Sequence, residues 1–170
     1  MHSSQSSISH YSGAIKNPCS VSDTLFTVRK ADIQDLPALA ILETQCAAES
    51  QSFRGSAELL AETPFIGINF DVVLGEVGRC VLVIESSREV CGYADMKVSN
   101  AAAMIQRIYI SALARELGAG ATLIDELKNV AKAFGCTRID AYALPGDRLT
   151  KNLFERAGMK ARLLIASSDL

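Results

Sequence analysis

The chain has 170 residues, of which 49% are apolar and 21% charged, and its formal net charge is −2. This length and composition are typical of a single globular domain that is long enough to bury a core. The small net charge excludes a general attraction to nucleic acid or to an anionic membrane. No apolar run approaches the roughly 18 residues that a membrane span requires.

The cysteines and histidines narrow the chemistry further. The five cysteines include no Cys-x-x-Cys pair, and they are interpreted as reduced thiols. Together with the absence of a signal-peptide pattern, this predicts a cytoplasmic protein. The two histidines, His2 and His10, lie close to the N-terminus. The rest of the chain therefore has no imidazole for a Ser-His-Asp or Cys-His hydrolase or for a histidine-ligated metal, and no metal is expected.

The order of elements follows from the periodicity of apolar residues. Residues 1–24 contain eight serines and little apolar pattern, which predicts a flexible tail before a folded domain at residues 25–170. The predicted elements are a strand at 25–30, a helix from Asp32 to about residue 48, a short helix at 56–60, a helix or strand at 71–77, strands at 80–85, 90–98 and 104–110, a helix at 121–134, a strand at 138–144, a helix from Asp147 to about residue 157, and a strand at 161–165. This order predicts an α/β (α+β) fold, with a mixed central sheet of about six or seven strands and helices on both faces.

Residues 115–121, Arg-Glu-Leu-Gly-Ala-Gly-Ala, join a predicted strand to a predicted helix. Free N–H groups at the start of a helix, together with the helix dipole, form an anion site. Gly118 and Gly120 lack a Cβ and would let a phosphate approach the main chain, and Arg115 would add a positive charge. The loop therefore indicates a phosphate-bearing ligand, with a tight turn that binds nothing as the alternative.

A dinucleotide site is the nearest rival interpretation of this loop. Asp140 lies 20 residues after Gly120, which is the usual distance of a ribose-binding acid. Against it, Leu123 occupies the place of the third glycine, Asp140 falls early in its strand, and seven residues, 111–117, separate the preceding strand from the first glycine. The sequence contains no Gly-x4-Gly-Lys-Ser/Thr motif, which excludes a P-loop.

The motif Arg-x-x-Gly-x-Gly-Ala after a strand resembles the acyl-CoA pyrophosphate loop of the GCN5-related N-acetyltransferase (GNAT) superfamily, whose pattern is Gln/Arg-x-x-Gly-x-Gly/Ala. Residues 153–159, Leu-Phe-Glu-Arg-Ala-Gly-Met, resemble the closing segment of that family, Leu-Tyr-Glu-x-x-Gly-Phe. The resemblance extends over most of the chain. It implies a single-domain acyl-CoA N-acyltransferase fold and an acetyl-CoA-dependent N-acetyltransferase. Such an enzyme moves an acetyl group to an amine of a small molecule or protein by direct attack on the thioester.

The resemblance also implies where acetyl-CoA binds. In the family it lies between two parallel strands that splay apart, which correspond here to 104–110 and 138–144. Main-chain groups of the first strand would hold the pantetheine arm, and N–H groups of the loop would hold the diphosphate. The implied cofactor-binding residues are Ile108, Tyr109, Ile110, Arg115, Glu116, Leu117, Gly118, Ala119, Gly120, Ala121, Asp147 and Phe154.

The catalytic candidates are few. Asp95 is the first choice as general base, because it shares the polar face of its strand with Tyr93; a solvent-exposed carboxylate near Lys97 is the alternative. The tyrosine that protonates the CoA thiolate in many family members is replaced by Phe154, which has no proton to give. Tyr109, Tyr142 or solvent could take that role, and a thiolate with a thiol-like pKa of roughly 8.5 does not strictly need a donor. Many family members deprotonate the amine through water, so the resemblance does not require a carboxylate either.

The acceptor side carries no motif. By the resemblance, residues 49–78 form one wall of the acceptor site, and ordinary core and surface is the alternative. The candidate lining residues are Phe53, Arg54, Glu58, Phe65 and Phe70. The changes at Phe154 and Met159 leave a second hypothesis open, a catalytically degenerate relative that acts as a CoA-binding or protein-interaction module. The predicted C-terminal strand is compatible with a homodimer.

Overall fold

The structure, a computed structural model, describes residues 25–166, and the predicted tail at 1–24 lies outside the described residues. In chain order the elements are β1 (Thr27–Lys30), α1 (Leu36–Ser50), α2 (Ser56–Glu62), α3 (Phe70–Gly75), β2 (Arg79–Ser86), β3 (Glu89–Ser99), β4 (Ala102–Ile110), α4 (Ala112–Arg115), α5 (Ala119–Ala133), β5 (Arg138–Ala141) and α6 (Arg148–Arg156). Two 3₁₀ turns, Ile33–Asp35 and Gly67–Asn69, precede α1 and α3. Among the described helices, none has the length and apolar content that crossing a bilayer requires.

The strands form one mixed sheet in the order β1-β2-β3-β4-β5. The first four strands are antiparallel neighbours, and β5 pairs with β4 in parallel. The parallel pair needs a crossover, which α4 and α5 supply after β4. The predicted mixed sheet is thereby confirmed.

Helices cover both faces of the sheet, as the sequence predicts. On one face α5 and α6 bury Leu123, Ile124, Leu127 and Phe154 against alternate residues of the central strands, among them Ile84 and Met96. On the other face α1 and α3 bury a second set against the intervening residues of the strands. That second set includes Leu39, Leu42, Phe70, Val81, Val83, Tyr93 and Tyr109. The alternation of side chains along each strand therefore produces two separate apolar layers.

Local signals set the ends of two elements that matter for the site. Before α1, the Asp32 carboxylate accepts a hydrogen bond from the Gln34 N–H and the Asp35 carboxylate accepts one from the Asp32 N–H, which is a capping box. Before α5, Gly118 adopts a left-handed conformation with φ of +90°. An L-residue adopts this conformation only at a cost, so glycine is favoured at this position.

The described sheet has five strands, where the sequence predicts six or seven. Residues 161–165 are not a strand: they run as irregular chain, and Leu163, Leu164 and Ile165 are about four-fifths exposed, at 83%, 80% and 79%. An apolar run has the composition of a strand, but it becomes one only where a partner edge lies within reach. The homodimer is expected because of this predicted strand, so the structure gives no support for it.

Two further differences surround the end of β4. Residues 112–115, predicted as loop, form the single-turn helix α4. The predicted strand at 138–144 ends at Ala141, which is where its pairing with β4 ends. Both differences concern the region in which β4 and β5 separate.

Candidate functional site

A β-bulge in β4 lies next to the last residue pair between β4 and β5, and we call the unpaired side of β4 beyond that pair the cleft. Asp95 of β3 pairs with Arg107, whereas the next residue, Met96, pairs with Ile105, which leaves Gln106 as the extra residue of β4. A bulge of this kind bends its strand and increases the local twist. The pairing of β4 with β5 runs from Ala102 to Ile105 and ends there, one residue before the bulge. β4 thus continues for residues 106–110 after β5 has ended at Ala141, so this part of β4 has no paired strand on that side among the described residues, which is compatible with the gap that the family resemblance implies.

The main chain of β4 presents alternate residues to this cleft. The Ser111 N–H donates to the Cys91 carbonyl of β3 at 2.8 Å. Because main-chain groups alternate sides along a strand, those of Tyr109 also face β3, while those of Ile108 and Ile110 face the open side. The structure therefore places the main chains of Ile108 and Ile110 on the cleft, and it directs that of Tyr109 away from it.

The start of α5 carries hydrogen-bond donors that the protein does not use. In the part of the chain that the structure describes, no group accepts a hydrogen bond from the N–H of Ala119 or Gly120. Gly118 donates weakly to the Arg115 carbonyl at 3.4 Å, and Ala121 donates to the Gly118 carbonyl at 3.1 Å. An unpaired buried donor costs about 1–3 kcal/mol, and an anion at the helix start would remove this cost.

The two glycines of the loop have different reasons to be glycine. Apart from its chain neighbours, a Cβ on Gly118 would meet no heavy atom of the described residues within 4 Å, so its conformation and not its surroundings selects glycine. A Cβ on Gly120 would lie 2.8 Å from Leu153 Cδ1, because α6 packs closely on the start of α5. The expectation that a missing Cβ at Gly120 serves the approach of a phosphate is replaced by a packing reason.

The predicted phosphate-binding arginine is engaged with protein groups in this structure. Arg115 Nε donates to the Ile110 carbonyl at 2.6 Å, Nη2 donates to Glu49 Oε2 at 2.6 Å, and the guanidinium lies 5.0 Å from the centre of the Tyr109 ring. The Tyr109 hydroxyl donates to Glu49 Oε1 at 2.6 Å. Burial first, and Glu49 second, raise the pKa of Tyr109 to about 12. Tyr109 therefore keeps its proton at neutral pH.

Glu49, which joins Tyr109 to Arg115, was absent from the sequence candidates. It follows Leu39, Leu42 and Cys46 at helical spacing on the face of α1 that turns to the sheet. An acidic residue at the next position of an apolar stripe indicates a carboxylate that faces the sheet, and this pattern is visible in the sequence. The sequence does not show that this acid binds Tyr109 of β4 and Arg115 of α4.

Asp95 is held in a way that does not suit a general base. It is 2% exposed, and its two carboxylate oxygens accept hydrogen bonds from Arg79 Nε at 2.9 Å and Nη2 at 2.6 Å. Arg79 also donates to Glu76 at 3.0 Å. The alternative expectation, an exposed carboxylate beside Lys97, is wrong because the side chain is buried. We assign Asp95 a structural role as the buried anion of this ion pair.

Asp147 and Phe154, both expected to contact the cofactor, have clear structural tasks. Asp147 Oδ1 accepts a hydrogen bond from the Thr150 N–H at 3.0 Å and caps α6. Phe154 is 7% exposed and belongs to the core between α6 and α5. Their contact with a cofactor stays a prediction.

A pocket of about 380 Å³ opens beside the cleft, between the last turn of α1 and α2. We name it the α1–α2 pocket; its lining residues are Ala47, Ala48, Ser50, Gln51, Ser56, Ala57, Leu59, Leu60, Phe65, Arg107 and Leu144. Arg107 is the first residue of β4 after the bulge, and Leu144 follows β5, so the pocket meets the cleft where the strands diverge.

The expected lining residues are mostly elsewhere. Phe65 lines the α1–α2 pocket, with the Arg107 guanidinium 4.2 Å from the centre of its ring. Phe70 is 1% exposed and belongs to the core, and Arg54 and Glu58 are exposed residues that do not contribute to the lining. Phe53 lies against the loop at Gly146, where a Cβ would be 3.6 Å from its ring.

The dinucleotide interpretation conflicts with the position of Asp140. Asp140 pairs with Met104, six residues before the end of β4 at Ile110, whereas the glycine loop follows that end. Six residues of strand span roughly 20 Å, which separates the acid from the loop. A sheet that is antiparallel over four of its five strands is likewise not the doubly wound parallel sheet of that class.

The fold and the cleft together define an α/β protein with a mixed sheet, whose one parallel pair splays open beside a helix N-terminus. The model of the acetyltransferase (GNAT) family matches residues 43–159, and the chain belongs to this family. The resemblance seen in the sequence is thus confirmed. No curated protein sequence matches the chain significantly.

Solved structures share the fold at low sequence identity. The aminoglycoside acetyltransferase AAC(6')-Iy, in complex with the bisubstrate analogue CoA-S-monomethyl-acetylneamine, is 13% identical with a TM-score of 0.64, over 85% of this chain and 99% of the other. A tetramutant of a Bacillus halodurans protein is 17% identical, with a TM-score of 0.68 and coverage of 85% and 99%. The aminoglycoside 6'-N-acetyltransferase AAC(6')-IG from Acinetobacter haemolyticus is 16% identical, with a TM-score of 0.60 and the same coverage.

Proposed function

We propose that the protein is an acetyl-CoA-dependent N-acetyltransferase that moves an acetyl group to an amine by direct attack on the thioester. The observation that carries this proposal is the end of the β4–β5 pairing at Ile105, which leaves residues 106–110 of β4 unpaired on that side, together with a helix start whose Ala119 and Gly120 N–H groups have no acceptor among the described residues. Membership of the GNAT family supports acyl transfer as the type of reaction. That the solved neighbour AAC(6')-Iy binds a CoA-containing analogue supports the choice of donor.

The proposed binding mode uses main-chain groups. Of the predicted loop residues 117–121, the N–H groups of Ala119 and Gly120 would receive the diphosphate, assisted by the dipole of the fifteen-residue helix α5. The pantetheine arm would lie along the open side of β4, against the main chains of Ile108 and Ile110. Arg115 would exchange the Ile110 carbonyl for the diphosphate and keep its ion pair with Glu49, because charge-assisted bonds to phosphate are strong.

The reaction needs little from the side chains. The amine nitrogen attacks the thioester carbon, the new N–C bond forms as the C–S bond breaks, and CoA leaves as its thiolate. The Ile108 N–H would stabilise the developing oxyanion. We propose that solvent takes the amine proton, since Asp95 is engaged with Arg79 and Tyr109 holds its own proton. A thiolate with a pKa of roughly 8.5 leaves without a donor, so Phe154 does not prevent turnover.

A thermal-shift titration with acetyl-CoA tests the binding half of this proposal. Saturation at about 100 times Kd should stabilise the protein by about 2.7 kcal/mol, or roughly 5–10 °C for a domain of this size. Ala121→Glu is the informative variant, because residue 121 is exposed and lies in the first turn of α5. A glutamate there stabilises the helix by roughly 0.3–1 kcal/mol through the dipole, yet it repels a diphosphate.

The variant without ligand should therefore melt no lower than the wild type while its response to acetyl-CoA falls at least severalfold. Ala121→Gln, which adds the bulk without the charge, is the matched control and should respond nearly as the wild type does. If acetyl-CoA stabilised Ala121→Glu as much as the wild type, the loop would not be part of the binding site. Binding without thiol release, over a broad panel of amines, would favour the degenerate CoA-binding module instead.

The proposal that solvent removes the amine proton can be tested through the pH dependence of the reaction. The pH profile of kcat/KM should follow the pKa of the acceptor amine, because no group of the protein has to lose a proton first. Two acceptors that differ by one unit in amine pKa should shift the profile by about one unit. A profile that stays fixed when the amine is changed would indicate a general base on the protein.

A further inference from the structure

The charge of the α1–α2 pocket limits the acceptors that it can hold. Most of its lining is apolar, from Ala47, Leu59, Leu60, Phe65 and Leu144 among others, and no aspartate or glutamate within residues 25–166 contributes to it. Of the described residues that line it, Arg107 is the charged one. A volume of about 380 Å³ is in the range of small-molecule sites.

Arg107 is a cation that has no direct counter-ion among residues 25–166. Its Nη2 donates to the carbonyl and the hydroxyl of Thr63, and its plane lies over the ring of Phe65. It forms no salt bridge with any carboxylate of the described residues. An arginine has five N–H donors in a fork that matches a carboxylate, and Nη2 alone accounts for the two bonds to Thr63. The guanidinium therefore has donors left for a ligand.

The acids closest to Arg107 are already engaged. Glu43 accepts hydrogen bonds from the N–H groups of Ile66 and Gly67 at 2.7 and 3.0 Å. Asp95, opposite Arg107 in the sheet, is held by Arg79. A half-buried charge with no direct partner is unfavourable, and a ligand carboxylate would compensate it.

The acids at the rim of the site are no better placed for a polycation. Glu49 forms an ion pair with Arg115 at 2.6 Å. Glu62, on the last turn of α2, accepts a hydrogen bond from the Tyr142 hydroxyl at 3.1 Å. An acceptor with several positive charges would meet an apolar wall and one arginine, which repels it.

Resting on the proposed acetyl transfer, we propose that the acceptor is a primary amine that also carries a carboxylate and an apolar group, of which an α-amino acid with a large apolar side chain is the simplest. Arg107 would bind the carboxylate, and the apolar lining would bind the side chain. In an α-amino acid the nitrogen is two bonds from the carboxylate carbon. Arg107 directly precedes Ile108, whose main chain faces the cleft, so the amine would be presented to the thioester. Starting from the ammonium form of the acceptor, the products are an N-acetylamino acid, CoA thiol and one proton released to solvent; the second N–H proton that the nitrogen loses balances the one that the CoA thiolate takes up.

The test compares L-phenylalanine with L-phenylalaninamide in a free-thiol release assay with acetyl-CoA. The two acceptors share the apolar side chain but differ in the carboxylate and in the pKa of the amine, so kcat/KM is expressed per concentration of free amine. Both reactions are followed in the wild type and in Arg107→Gln. The wild type should prefer phenylalanine by roughly ten- to a hundredfold in kcat/KM, which is the value of a charge-assisted bidentate bond. In Arg107→Gln this preference should disappear, and Arg107→Lys should keep part of it.

The readout is the ratio of kcat/KM for phenylalanine to kcat/KM for phenylalaninamide. A variant that is merely damaged in its fold loses both activities together, so this ratio stays unchanged. Equal kcat/KM per free amine for the acid and the amide in the wild type, a ratio unchanged in Arg107→Gln, or a higher kcat/KM per free amine for the polycation neamine would each overturn this inference and leave the proposed acetyl transfer standing. If no amine releases thiol although acetyl-CoA binds, or if acetyl-CoA does not bind, the proposed function fails and this inference fails with it.

Discussion

The contact of Gly120 with Leu153 allows a sharp test of why the loop contains its second glycine. Gly120→Ala places a Cβ 2.8 Å from Leu153 Cδ1 and 3.1 Å from Cδ2. Overpacking of this kind costs typically 1–3 kcal/mol, with the lower end favoured here because the leucine methyl groups end a flexible side chain. Alanine in a helix is more favourable than glycine by up to about 1 kcal/mol. The net expectation is a loss of stability of roughly 0–2 kcal/mol.

In a Leu153→Ala background the steric term disappears and the helix propensity remains. The same Gly120→Ala change should then stabilise the protein, by up to about 1 kcal/mol. The two positions are therefore predicted to couple by about 1–3 kcal/mol. Urea unfolding of the four proteins, followed by circular dichroism, measures the coupling directly.

Acetyl-CoA affinity separates the packing reason from a ligand reason. The double variant should bind acetyl-CoA nearly as the wild type does, because the Cβ at residue 120 points to α6 and not to the ligand. A coupling near zero would refute the packing account. A double variant that is stable yet no longer binds acetyl-CoA would show that the Cβ obstructs the diphosphate.

Two other predictions concern the charged clusters. Asp95→Asn should destabilise the protein by about 3–5 kcal/mol, because it leaves Arg79 without its buried partner, while Glu76→Gln, on the more exposed side of the same arginine, should cost less than about 1 kcal/mol. The fraction of Asp95→Asn protein that remains folded should have a kcat/KM within a few-fold of the wild-type value. A thousandfold loss would indicate that Asp95 is the general base. Glu49→Gln should lower the pKa of Tyr109 from about 12 towards, but not to, its ordinary value near 10, since burial is the larger cause and remains. This pKa is measured by titrating the tyrosinate absorbance that is present in the protein with Tyr109 and absent from Tyr109→Phe. Because the raised pKa stabilises the folded state below pH 10, that contribution is lost between pH 10 and 12 in the wild type and is smaller in Glu49→Gln.

Elements governed by local patterns could be predicted from the sequence. The hairpin of β2 and β3, the helix α5 after Gly118 and the Asp147 cap of α6 all follow from periodicity and capping residues within one segment. The family and the fold followed from the loop and the closing segment together.

What could not be predicted depends on partners far along the chain. The sequence does not show that Asp95 meets Arg79 or that Arg115 meets Glu49, because these pairs join different elements. The bulge left a trace that was available: the adjacent polar residues Gln106 and Arg107 interrupt the alternation between Ile105 and Ile108. The apolar run at 161–165 had the composition of a strand but no described partner, so pattern alone gave the wrong result.

The most direct test of the account is a ¹⁵N-labelled NMR titration with CoA and, separately, with pantetheine, which lacks the diphosphate. CoA should shift the amide signals of Ala119, Gly120 and Ile108, whereas pantetheine should shift that of Ile108 and leave the two α5 amides in place. If saturating CoA leaves the Ala119 and Gly120 amides unmoved, the diphosphate does not bind at the start of α5, and the proposed acetyl-CoA site is wrong.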